Sequence, residues 1–441
     1  MRDVPDLLDV VSLQKQSRRP KPPQLARRRT MWLQSTRHQT LGLPMSSGWL
    51  QRGILFGMLA WLPLSLCCQA DDATFPHAVV AADHPAASEA GARILREGGN
   101  VVDAAVATSF ALSVVRPASC GIGGGGFMVI WDAHTQTSVA IDYRERAPAG
   151  ATAALLAEDG SAMEPLSVRG GLASGVPGNV AGLCFVAQKY GTLPIAQLVQ
   201  PAIDLCRQGV LIDAHDQEVQ ASTLQKLDTH DGYNDRFALL RRSYLNDGDP
   251  WKRGDRFYSP QQKTLEAIAA HGAAGFYEGA VGEAIAATVN AESGVMTLHD
   301  LARYRPTERI ALNAEFRGKK VLTMPPPSSG GVALLQTLQS LEEWEARTGR
   351  TLLQLGHNSA DYVHVLAEAL KHAFADRAEF LGDTDFVRVP VDRMLDREYA
   401  RQIAQRISME STLPMNQYGR FFLQAEDVLE ALRRRHRDAA R

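Results

Sequence analysis

Residues 101–117 read VVDAAVATSFALSVVRP, small and apolar nearly all round. A helix with that pattern offers no polar face to water, so it must be buried on most sides. It follows HPAASEAGARILREGGN (84–100), where Ala87, Ala90, Ala92, Ile94 and Leu95 keep helical spacing until Gly98, Gly99 and Asn100 stop it. After it come GIGGGG (121–126) and FMVIWDAHTQTSVAIDYRE (127–145), two strands joined by a short turn near His134. A buried helix feeding a hairpin calls for layers, so the fold class is α/β or α+β, with strands sandwiched by helices.

Residues 190–320 read as mainly helical, with PIAQLVQPAIDLCRQG and QQKTLEAIAAHGAAGFYEGAVGEAIAATVN the clearest periods. EFRGKKVLTM (315–324) reads as one strand. GGVALLQTLQSLEEW and SADYVHVLAEALKHAFADRAEFLGD are amphipathic helices, each opened by a Gly or Ser region.

The 441 residues are 45% hydrophobic and 22% charged with a formal net charge of -2, a globular balance with no overall pull toward nucleic acid or anionic membrane. Residues 1–44 are a basic, disordered-looking extension, with SRRPKPPQLARRRT lacking apolar periodicity. Such an arm can bind nucleic acid; the preferred reading is that it precedes the true start of translation. Residues 45–70 have a polar start with Arg52, an apolar run over 54–66 and small residues ending at Ala70. That is a signal peptide, or an N-terminal anchor if it is retained, and its apolar run is too short for a comfortable span. Export to the periplasm or the extracellular space follows. Of the five cysteines, Cys67 and Cys68 fall in this segment, leaving Cys120, Cys184 and Cys206 with at most one internal disulfide. They read as small buried hydrophobes.

Four stretches invite a chemical reading. Gly121, Gly123 and Gly126 match G-x-G-x-x-G, but the order here is helix, glycines, strand, where a dinucleotide site needs strand, glycines, helix. The glycines instead permit positive φ and a close approach to a ligand or a packed neighbour. His364, Glu368 and His372 share a helical face, a metal site in outline but more simply a solvated face, and no metal or cofactor is expected. In DYRERAP (142–148), Arg144 and Arg146 share one side of an extended chain and Glu145 takes the other. Arg144, at a strand end beside the glycine loop, is placed either to grip a carboxylate bidentately or to make a surface ion pair. In MPPPSSGG (324–331) the prolines should be extended and stiff, ahead of a helix start with serine caps.

Together EGGNVVDAAVATSFALSVVRPASCGIGGGGFMVIWD, AIDYRERAPA, ASGVPGNVAGLCFVAQKYGTLP, MPPPSSGG and FADRAEFLGDTDFVRVPVDRML resemble gamma-glutamyltranspeptidase, or glutathione hydrolase, over roughly residues 74–419. The resemblance implies an N-terminal-nucleophile hydrolase αββα sandwich. It implies a precursor that cuts itself into a large and a small subunit, whose new N-terminal threonine attacks the γ-glutamyl carbonyl with its own α-amine as base. It places an arginine at Arg144 on the substrate's α-carboxylate, with Glu145 as a neighbour that orients it. The implied ligand is a γ-glutamyl small molecule such as glutathione, and the implied partner is a small subunit.

The sequence departs from the family in one respect. No TTH[YF]SVVD-like segment occurs; Thr229-His230 sits in a polar turn, and Ser411-Thr412 leads into the Arg-rich tail 420–441, which has no family counterpart. Residues 71–419 are therefore expected to form a large-subunit-like domain, an incomplete sandwich with no catalytic residue of its own, truncated and inactive alone. Two other readings stand beside this one: a non-catalytic binder of γ-glutamyl or related carboxylates, and an acylase acting on other amides.

Overall fold

In the computed structural model the described residues are 75, 77–152, 168–230 and 232–419. The extension 1–44, the segment 45–70 expected to be a signal peptide or anchor, and the tail 420–441 lie outside them. The described residues belong to one unit that begins at Phe75.

Helix α1 (Pro85–Arg96) opens on proline, whose missing N–H is no loss at a first turn, and His84 Nδ1 accepts from Ala86 N at 3.1 Å. Helix α2 (Val101–Val115) opens on a capping box: Asn100 Oδ1 accepts from Val102 N and Asp103 N at 2.8 and 3.0 Å, and Asp103 Oδ2 accepts from Asn100 N at 2.9 Å. Asp103 is fully buried, yet it also accepts from Thr192 N and Thr192 Oγ1, which offsets the cost of burying its carboxylate. As its composition demands, α2 buries most of its length, with Val106, Phe110, Ala111 and Val114 wholly inside.

Strands β1 (Phe127–Asp132) and β2 (Thr137–Asp142) form the expected hairpin, pairing Phe127 with Asp142 and Asp132 with Thr137. Helices α3 (Asn179–Tyr190) and α4 (Ile195–Gln208) follow, then β3 (Val210–Leu211) and α5 (Ala214–Asp228). Strand β4 (Arg256–Phe257) pairs with β3, and α6 (Gln262–His271), α7 (Gly279–Ala291) and α8 (Leu298–Arg303) complete the helical layer. Strand β5 (Thr307–Arg309) returns to the sheet beside β2, giving the order β1-β2-β5. The main core lies between α1, α2, α3, α4, α6 and the inner face of this sheet, through Ile94, Phe110, Ile141, Leu183, Leu198 and Ile268. Among the described residues every strand pair is antiparallel, so α+β is the better of the two expected classes.

The single strand expected over 315–324 is half of a hairpin, β6 (Leu312–Phe316) with β7 (Lys319–Thr323). Its two-residue turn, Arg317-Gly318, has φ of 47° and 71°, the left-handed pair that suits right-handed strand twist. Arginine is an unusual first residue there, which hid the turn in the sequence. The hairpin lays Lys320 Nζ over the Trp131 ring at 4.2 Å. Helices α9 (Gly330–Thr348), α10 (Ala360–Phe380) and α11 (Arg397–Arg406) pack a second core around Trp344, Val365, Ile403 and Ala404.

Candidate functional site

Strand β2 ends at Asp142, and the chain runs on beyond the sheet as 143–146. Tyr143, buried, exchanges two backbone hydrogen bonds with Gly126, at 3.0 and 3.2 Å. The glycine loop presses directly on this segment. A Cβ on Gly125 would lie 2.6 Å from the Tyr143 carbonyl oxygen and 2.7 Å from Glu145 N. None of the glycines over 121–126 has positive φ; close approach is their reason. The Gly124 carbonyl accepts from Gly178 N and Asn179 N, both at 2.9 Å, which satisfies the opening of α3. Of the two neighbours expected for the loop, the structure supplies the packed segment, and the order helix, glycines, strand holds.

This packing fixes the backbone of Arg144 from both sides. Its N–H donates to Asp142 Oδ1 at 3.1 Å, and its carbonyl accepts from the Tyr304 hydroxyl at 2.7 Å. Asp142 is itself held: Arg309 Nε donates to its other oxygen at 2.9 Å, while Arg309 Nη1 and Nη2 reach Asp385 at 3.1 and 3.2 Å. Burial pushes the Tyr304 phenol well above its ordinary value, so the hydroxyl keeps its proton and donates.

The side chains of 144–146 part company. Arg146 is engaged, donating to Thr307 Oγ1 at 2.9 Å with its guanidinium over the Tyr304 ring at 5.6 Å. Arg144 is exposed, and among the described residues its guanidinium has no hydrogen bond and no ion pair. Glu145, exposed beside Gly124, makes no ion pair with Arg144 among the described residues; the contacts that hold Arg144 are to its backbone, from Asp142 and Tyr304. Among the described residues Arg144 thus makes no surface ion pair, and its cation faces solvent from an anchored backbone.

The remaining candidates resolve into structure. In MPPPSSGG the chain turns at 326–327, with Ser328 N donating to the Pro325 carbonyl at 3.2 Å, so the prolines are not a straight strut. Ser329 makes no side-chain cap; its Oγ accepts from Arg377 Nε at 2.7 Å. Met324 packs under the sheet with Ala140, Ala311 and Phe127, which makes the segment scaffolding. Thr229-His230 is a turn after α5, as expected. Cys120, Cys184 and Cys206 are free; Cys206 is buried and the other two half-buried.

The face of α10 carrying His364, Glu368 and His372 is solvated only in part, at half-buried His364. Glu368 and His372 are 1% and 0% exposed, covered by residues 408–419. His364 Nε2 bonds the Ser408 carbonyl at 2.7 Å, Glu368 accepts from the Tyr418 hydroxyl at 2.8 Å and pairs with Lys371, and His372 Nδ1 accepts from Gly419 N at 3.0 Å. Polar residues at helical spacing looked like a wet face because the covering segment lies some 50 positions later in the chain. Burial first, then the Arg406 charge, holds the His372 imidazole at about 4 against an ordinary 6.5, with Glu368 opposing and Lys371 assisting. Above pH 6.5 the group is neutral in both states and costs nothing. As pH falls toward 4 the unfolded chain takes up a proton that the folded chain refuses, so stability drops across that window, by about 2–3 kcal/mol. A His372→Asn variant should lose less melting temperature than the parent between about pH 7 and about pH 4.5, and equal losses would assign the acid sensitivity elsewhere.

Reasoning from the sequence missed Tyr304, Arg309 and Gly178. All three act on 142–144 from distant parts of the chain. Only Gly178 had a local signal, within GVPGN.

A sequence model of the family described as gamma-glutamyltranspeptidase matches residues 87–432, running past the boundary expected at 419. The chain is 39% identical over 342 residues to the glutathione hydrolase proenzyme of Escherichia coli (strain K12), covering 77% of this chain and 57% of that one. It is 37% identical over 351 residues to the acylase ACY 1 proenzyme of Pseudomonas sp. (strain V22), covering 78% and 60%. The crystal structure of Helicobacter pylori gamma-glutamyltranspeptidase superposes with a TM-score of 0.71 at 38% identity, covering 80% of this chain and 98% of that one. The chain thus spans little more than half the length of these curated relatives, and nearly all of one solved chain.

Proposed function

We propose, from the premise that this chain belongs to the gamma-glutamyltranspeptidase family, that it supplies the glutamyl-holding portion of an enzyme that cleaves γ-glutamyl amides such as glutathione and passes the acyl group to water or to an amino-acid or peptide acceptor. The observation that carries this reading is Arg144: exposed, without a partner among the described residues, and fixed by its backbone at a strand end. A planar guanidinium in that state suits the α-carboxylate of a γ-glutamyl group. On this reading the attacking hydroxyl is that of an N-terminal threonine on a small subunit, as membership of the family implies. Within the described residues the outer edge of β1 pairs with no strand, and Val129 and Trp131 beside it are 37% exposed. That edge would take a strand of the small subunit.

The chain is also similar to an acylase proenzyme, and Arg144, without a partner among the described residues, favours the γ-glutamyl class, because a simple acyl group brings no carboxylate to it. Residues 45–70 would export the chain to the periplasm or outside the cell; among the described residues no helix is long and apolar enough to cross a membrane.

Purified chain, residues 71–441, should show no turnover of a chromogenic γ-glutamyl amide, and should gain it when produced with a family small subunit. Turnover by the chain alone, or its self-cleavage to expose a new N-terminal threonine or serine, would end this reading.

A further inference from the structure

The juxtaposition of Tyr304, Gly178 and the Arg144 carbonyl leads us to infer that Tyr304 is a positioning residue, setting the substrate-holding arginine through its peptide group. This rests on Arg144 holding the substrate carboxylate. Tyr304 is 5% exposed and follows α8, some 160 positions beyond Arg144. Its hydroxyl reaches the Arg144 carbonyl at 2.7 Å through a gap that exists because residue 178 has no side chain: a Cβ there would stand 2.3 Å from the Tyr304 oxygen. The ring cannot drift. It stacks on Tyr277 with centroids 6.1 Å apart and planes within 4°, and Tyr277 is pinned by donating to the Pro177 carbonyl at 2.8 Å and accepting from Ala181 N at 3.2 Å. The Arg146 guanidinium lies over the same ring, 5.6 Å from its centroid, and is engaged with Thr307.

The Arg144 peptide is therefore gripped at its carbonyl by Tyr304 and at its N–H by Asp142, while the guanidinium is left to the ligand. A long side chain mounted on a fixed peptide loses less freedom when it binds, so its hold on a carboxylate is tighter. Removing the Tyr304 hydroxyl keeps the ring, the stack and the core, and frees only the peptide.

The test is Tyr304→Phe in the full chain joined to a family small subunit, assayed with a chromogenic γ-glutamyl amide. The expected result is a KM raised roughly five- to tenfold, the range of one hydrogen bond, with kcat within about twofold and an unchanged circular dichroism spectrum. In an Arg144→Ala background the same change should leave KM where Arg144→Ala put it, because Tyr304 acts only through that residue. An equal rise in both backgrounds, or no rise with Arg144 intact while Arg144→Ala is strongly impaired, would overturn the inference alone. An Arg144→Ala enzyme with unchanged KM would remove the reading on which it rests as well.

Discussion

Arg144→Ala, in the chain joined to a family small subunit, should raise the KM for a γ-glutamyl amide by roughly a hundredfold, on the order of 2–3 kcal/mol. The size follows from what the structure already fixes. The Arg144 peptide is tied to Asp142 and Tyr304, and Asp142 is tied to Arg309, so on the proposed reading a substrate carboxylate would meet a cation whose mounting needs no rebuilding. Because the guanidinium has no partner in the described chain, its removal leaves no buried charge behind, and stability should hold. Arg144→Lys should fall between, since an ammonium offers a point charge where the guanidinium offers two parallel donors. Arg146→Ala serves as the contrast: it should cost stability through Thr307 and Tyr304, with KM much less affected. A KM that ignores Arg144→Ala would take that residue out of the site.

The second large effect is expected from a methyl group. Gly178→Ala would place a Cβ 1.9 Å from the Tyr143 carbonyl oxygen and 2.3 Å from the Tyr304 hydroxyl. The φ of -110° is open to any residue, so the penalty is purely steric. Backbone stands on one side, and the hydroxyl on the other is pinned, so neither can yield by rotating a flexible side chain. A loss of about 3–4 kcal/mol is expected, at the upper end for an overpacked site. Thermal or urea unfolding measures it. If the variant melts within a degree or two of the parent, the 143–146 segment moves freely and the rigid mounting of Arg144 is wrong. Variants that still fold should show the KM defect, because Tyr143 and Tyr304 are the contacts displaced.

The sequence disclosed what is encoded locally. The burial of α2 follows from Val106, Phe110 and Val114 standing among alanines with no polar stripe, and the β1–β2 hairpin from its alternation and turn. Arg144 was legible because its neighbours are: a strand end, a glycine loop and a second arginine two positions on. Three things were hidden, each because its cause lies far along the chain. The Arg144 peptide is held by Tyr304 at its carbonyl and by Asp142 at its N–H, with Arg309 behind Asp142, and adjacent Glu145 makes no ion pair with it. The α10 face is buried by residues 408–419, which no periodicity within α10 can announce. The β6–β7 hairpin hid behind an Arg-Gly turn whose first residue is rarely chosen for positive φ.

The fastening at Tyr418 and Gly419 reaches beyond stability. Tyr418 is bonded to Glu368 and Lys371, and Gly419 to His372, so the last described residues are moored to a helix in the second core. A segment joined further along the chain is thereby connected to the fold through α10. The local concentration that a nucleophile on it would attain at Arg144 depends on the length of polypeptide between them, and a connection cut too short should fail however well its residues match.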